Sequence, residues 1–258
     1  MRKTGRFFKT PALAATAAEV YSSNVVGYSK VAIQSGFNLI GSQYVSIGSN
    51  TDFDVNELMT SQDLPGLDAS FAFQTVLKVW NGGGYYTYGY CADGQGTENG
   101  EPSWDGKWLL NDMSGLASDT IRVGEGFWIK SDSPATITIS GQVATNASYS
   151  ANVSAGFNLL SNPYPAPLDI NTMTSDNLPG LDADFAFQTI LKVWNGGGYY
   201  TYGYCADGQG TENGAPAWDG KWLLNDMSDL ADVTIPSGNG FWVKTSAPAT
   251  ITFPSPLR

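Results

Sequence analysis

LKVWNGGGYYTYGYCADGQGTENG occupies residues 77–100 and returns without a change at 191–214. Runs of β-branched and aromatic residues flank Asn81-Gly82-Gly83-Gly84, residue types that tolerate positive φ in a tight reversal, so the block reads as a β-hairpin. Upstream, FAFQTVLKVW (71–80) alternates: Phe71, Phe73, Thr75, Leu77 and Val79 point to one face, and Ala72, Gln74, Val76, Lys78 and Trp80 to the other. The first set is expected to face the core. Pairing Trp80 with Tyr85 sets Val79 against Tyr86, Leu77 against Tyr88 and Thr75 against Tyr90, which predicts a core-side ladder of Tyr86, Tyr88 and Tyr90. Trp80, Tyr85, Gly89 and Cys91 then share the outer face with Lys78 and Gln74.

The repetition extends well beyond the hairpin. GFNL stands at 36–39 and 156–159, LPGLDA at 64–69 and 178–183, WLLNDMS at 108 and 222, GFW at 126 and 240, and PATIT at 134 and 248. KVAIQSGFNLIG, YYTYGYCA, GKWLLND, GFWIKSD and ATITISG all have strand composition, with Gly, Pro, Asn and Asp between them. Helical periodicity is confined to DVNELMTS (54–61) and its echo DINTMTSD (169–176). These patterns predict an all-β protein of two tandem homologous β-sandwich domains, or jelly-roll or barrel-like equivalents, made by internal duplication. The expected division is an N-terminal segment 1–23, a first copy 24–142, a polar linker 143–150 and a second copy 151–258.

Composition limits the chemistry. The 258 residues include 13 Lys and Arg against 24 Asp and Glu, a formal charge of −11, which disfavours nucleic acid because phosphate binding needs clustered cations. There is no histidine, which removes His-dependent triads and imidazole-ligated zinc. No stretch approaches the ~20 apolar residues of a membrane span. At the start, Arg2, Lys3, Arg6 and Lys9 precede a short apolar run broken by Pro11, then Ala15-Thr16-Ala17. That order fits a secretory signal with an A-x-A cleavage site, a basic tail being the other reading.

Three features could carry a ligand. Trp80 with Tyr85, and Trp194 with Tyr199, place two large rings side by side on a polar face next to a side-chain-free glycine, a surface on which a sugar ring could stack. Two such sites would gain avidity on a repeating polysaccharide. The same rings would serve as packing if a second sheet, a loop or the sister copy covered that face. Asp93, Glu98, Asn99 and Asp105, with Asp207, Glu212, Asn213 and Asp219, offer oxygen ligands on Gly-rich loops; they could hold Ca²⁺ or be acidic solvated turns, and their spacing fits no EF-hand. Cys91 and Cys205, one per copy, could pair only if their Cα atoms came within about 7 Å, which would require the outer faces to pack together; two reduced thiols are the alternative. Trp108 in KWLLND and Trp128 in GFWIK are expected in the core, and Trp104 in PSWDG at a rim.

GFNLLSNPYPAPLDI (156–170), VWNGGGYYTY (193–202) and IPSGNGFWVKTSAPATITF (235–253) together resemble a β-module of bacterial secreted and cell-surface proteins, with a GWNLIGNPYP-like opening, a VWN…YY segment and a GFFVK…ATITF-like close. The second copy is the closer match, since the first has GFNLIGSQYVSIGS (36–49) where the NPYP element would stand. The resemblance implies an extracellular β-domain without assigned catalytic residues. Three functions follow as expectations: a non-enzymatic structural or adhesive surface protein, self-assembling through exposed strand edges and the segment up to Asn24; a carbohydrate-binding protein using the Trp/Tyr pairs; and, third, a carboxylate-only glycoside hydrolase.

Overall fold

A computed structural model describes residues 25–46, 52–60 and 63–256. The expected leader 1–23, the segment up to Asn24 and part of GFNLIGSQYVSIGS lie outside them. The described chain is all-β with small antiparallel sheets, and its helices are single turns. One five-stranded sheet has the order Gly36–Gly41, Gly126–Ser131, Thr75–Trp80, Tyr85–Cys91, Lys107–Leu110. The second copy repeats it with Gly156–Ser161, Gly240–Thr245, Thr189–Trp194, Tyr199–Cys205 and Lys221–Leu224.

A smaller sheet accompanies each. Ala135–Val143 pairs with Val26–Ile33, Tyr44–Val45 and Met59–Thr60 in the first copy; Ala249–Pro254 pairs with Ser148–Val153 and Thr174–Asp176 in the second. Each core draws on the large sheet, the small sheet and a two-stranded pair, Asp52–Asp54 with Thr120–Arg122 in the first copy and Leu168–Asp169 with Thr234–Ile235 in the second. In the first copy Ile33, Ile137 and Ile139 of the small sheet meet Leu77, Tyr88, Trp108, Phe127 and Ile129 of the large one, and the second copy has Ile251 and Phe253 against Leu191, Trp222, Phe241 and Val243. Between the copies, the strand ending at Val143 is followed by one starting at Ser148, so half of the expected linker 143–150 belongs to strands and only 144–147 connect them.

The hairpin forms with the expected pairs, Trp80 to Tyr85, Val79 to Tyr86 and Leu77 to Tyr88. Its reversal is closed by Asn81, whose amide donates to the Gly84 carbonyl (3.1 Å) and whose Oδ1 accepts from the amides of Gly83 (3.2 Å) and Gly84 (2.8 Å). Gly82 takes φ +93°, the conformation that the glycine run made available.

Three positions expected on the core face of the hairpin strands differ. Tyr86, next to the turn, is 52% exposed; Tyr88 and Tyr90, farther along the strand, are buried. Phe71 is 55% exposed at φ +62°, in a turn where Asp68 Oδ1 accepts from the amides of Ser70 (2.7 Å) and Ala72 (2.9 Å). The strand begins only at Thr75. Phe73, freed from strand alternation, lies on the outer face against Gly89, where an added Cβ would overlap the Phe73 ring; Phe187 covers Gly203 in the same way. The expected helices shrink to Val55–Leu58 and the 3-10 turn Ile170–Thr172, each followed by a short strand.

Candidate functional site: an aromatic seam between the copies

The outer faces that carry Trp80 and Trp194 are turned toward each other. Alternation puts Trp80 on the face opposite Val79, and in the neighbouring strand it puts Trp128 on the face opposite Phe127 and Ile129. That second tryptophan belongs to the seam and not to the core of its copy, the reverse of the expectation. Trp80 meets Trp242 edge to face (5.2 Å between centroids), and Trp128 meets Trp194 likewise (5.3 Å). Leu39 and Leu159 are buried among them. The Trp80 indole N–H donates to the Phe157 carbonyl (3.1 Å), and that of Trp194 to the Phe37 carbonyl (3.0 Å). Each contact is returned with the copies exchanged, as in an isologous two-fold interface.

Backbone stitches close the centre of the seam. Gly41 N–H donates to Gly238 O (2.8 Å) and Ser161 N–H to Gly124 O (2.8 Å). Bridges link Ile40 with Asn239 and Glu125 with Leu160, so the edge strands Gly36–Gly41 and Gly156–Ser161 are covered.

Tyr85 and Tyr199 remain at the lip, 39% and 40% exposed. Each packs edge to face on its tryptophan at 5.1 Å, with Lys78 5.7 Å above Tyr85 and Lys192 5.6 Å above Tyr199. Burial pushes both phenols above their usual pKa, opposed at Tyr85 by a hydrogen bond with Trp128 and at Tyr199 by one with Trp242. A cleft of about 290 Å³ is bounded by Trp80, Tyr85, Phe157, Lys192, Tyr199 and Trp242. Trp80, Tyr85 and Tyr199 are therefore brought into one composite cleft, while Trp194 lines a separate one with Phe37 and Leu39. The glycine-backed stacking surfaces are not open, because Phe73 and Phe187 fill the space over Gly89 and Gly203, and Trp80 and Trp194 turn toward the opposite copy.

Cys91 and Cys205 are free and fully buried. The faces meet, yet the thiols lie at their far ends, each under its own copy's loop: Cys91 packs with Leu67, Leu109, Phe73 and Trp104. Burial pushes both thiols up from the ordinary value, which makes them poor nucleophiles.

The acidic loops are tied by their own hydrogen bonds. Asp105 Oδ1 accepts from the Thr97 amide (3.0 Å) and Oδ2 from the Thr97 hydroxyl; Asp219 treats Thr211 identically. The Thr97 and Thr211 hydroxyls hold these carboxyls below the usual range. Asn99 and Asn213 side chains donate to the carbonyls of Gln95 (2.8 Å) and Gln209 (2.7 Å). Asp93, Glu98, Asp207 and Glu212 are exposed. Among the described residues no three of His, Cys, Asp and Glu gather closely enough to hold a metal ion.

Phe37, Leu39, Trp128 and their counterparts Phe157, Leu159 and Trp242 are seam residues that sequence reasoning missed. A signal for them existed: in GFW and GFNLI adjacent residues are both apolar, which marks strands buried on both faces. No protein-family model, curated protein or solved structure matches the chain.

Proposed function

We propose that this is a non-enzymatic structural or adhesive protein, secreted or held at a cell surface, built from two tandem β-sandwich units and acting with further copies of itself. One observation carries the reading: each copy commits its most aromatic surface, Trp80 and Trp128 or Trp194 and Trp242, to the other copy. Duplication then has an architectural purpose, a rigid block made from a unit that would otherwise expose a large apolar patch. Asp105, Asp112, Asp219 and Asp226 are held below the usual carboxylate range by Thr or Ser hydrogen bonds, the direction opposite to that of a glycosidase's proton donor. Light scattering and electron microscopy of the concentrated protein should show assemblies larger than one chain. Monomers alone at every concentration, with and without Ca²⁺, would count against it.

The composite cleft favours a second reading, carbohydrate binding, since it combines aromatic walls with phenol and ammonium groups at its lip. Tyr85→Ala with Tyr199→Ala tests it better than tryptophan replacement, which would open the seam. Loss of polysaccharide retention by a folded double variant supports this reading; retention equal to the parent removes the cleft from it.

A further inference from the structure

The seam joins near-identical surfaces, so any surface residue that differs between the copies decides which copy pairs with which. Phe37, Leu39, Trp80, Tyr85 and Trp128 have the same residue types at 157, 159, 194, 199 and 242. At the centre they differ: Gly41 stands where the second copy has Ser161. A Cβ on Gly41 would overlap Ser161 Cβ and lie 3.0 Å from Asn239 O. The fully buried Ser161 hydroxyl instead donates across the seam to Ser42 O (3.2 Å) and Glu125 O (3.0 Å). Two second copies would oppose serine to serine in space that holds one, and two first copies would leave a hole and lose both hydroxyl bonds. Gln43 adds to the key, donating from Nε2 to Ser237 Oγ (3.1 Å), while the counterpart positions are Pro163 and Val123.

We infer that the seam is keyed to join a first copy to a second copy, and that the partner it takes outside the chain is the complementary copy of another chain, so that molecules associate by exchanging halves. The inference rests on the self-association proposed above and names its surface. Within one chain the seam closes at the high effective concentration set by a short connection, on the order of mM. Exchange therefore needs a crowded layer, or a weakened internal seam. Reciprocal exchange closes a dimer, and head-to-tail exchange builds an open chain.

Two full-length variants test this. Gly41→Ser opposes serine to serine within the chain, and Ser161→Gly opposes glycine to glycine. Mixed, they can satisfy the key only between chains. There the serine introduced in the first variant meets the glycine introduced in the second, and the unchanged Ser161 of the first meets the unchanged Gly41 of the second. Native mass spectrometry of the annealed mixture should show the heterodimer in about tenfold excess over either homodimer, a pairing preference of roughly 1.4 kcal/mol. If Gly41→Ser does not fold alone, its recovery on refolding with Ser161→Gly supports exchange, and no recovery overturns it. Dimers in statistical proportion would overturn the key while leaving self-association standing. Monomers only, in the mixture and in the concentrated parent protein, would sink both.

Discussion

Gly89 shows how a single missing side chain directs packing. Its sequence position suggested open space beside Trp80 and Tyr85, but that space holds Phe73. Gly89→Ala should destabilise the protein by about 1–3 kcal/mol through overpacking. Phe73→Ala in the same chain should make Gly89→Ala markedly less costly, and urea denaturation of the four-member cycle measures the coupling. Independent costs would contradict the contact. The loop carboxylates make a second prediction at this scale. Asp105 and Asp219 have depressed values when folded, so between the folded and unfolded values the unfolded chain binds more protons. Their contribution is present above about pH 4 and lost as pH falls through the depressed values. Thermal melts should fall on the acid side, and Asp105→Asn with Asp219→Asn should flatten that limb; an unchanged limb would refute the assignment. Tyr90 and Tyr204 act at the other end: burial raises their phenols, so stability present below about pH 10 declines as pH rises.

Among the elements, the hairpin was legible because its information is local. Alternation, the Asn-Gly-Gly-Gly reversal and the Trp80–Tyr85 register all depend on residues within a few positions of one another. The central GFW strand was harder. Phe127 and Trp128 occupy opposite faces, and both faces are covered, by the small sheet on one side and by the other copy on the second. Trp242, 6% exposed, packs against both Trp80 and Phe157. Trp242→Ala should therefore cost about 3 kcal/mol or more, measured by denaturant unfolding. A cost near that of a surface substitution would mean that the seam does not form in solution.

Across the chain as a unit, the seam should make the two copies unfold together. Calorimetry of the parent chain is expected to give one transition, and Trp128→Ala with Trp242→Ala two. Two transitions in the parent would show copies that fold independently. The all-β class, the repeat, the strand register and the turns were set by local sequence, because each follows from side-chain periodicity and backbone preference over short distances. Local sequence also placed Trp80, Tyr85, Trp194 and Tyr199 on one kind of face but could not say what lay opposite. That depended on the assembled fold, since Trp242 lies 162 positions from Trp80. Whether a ring is a platform or a wedge depends on the surface it meets, and here that surface is a second copy of its own.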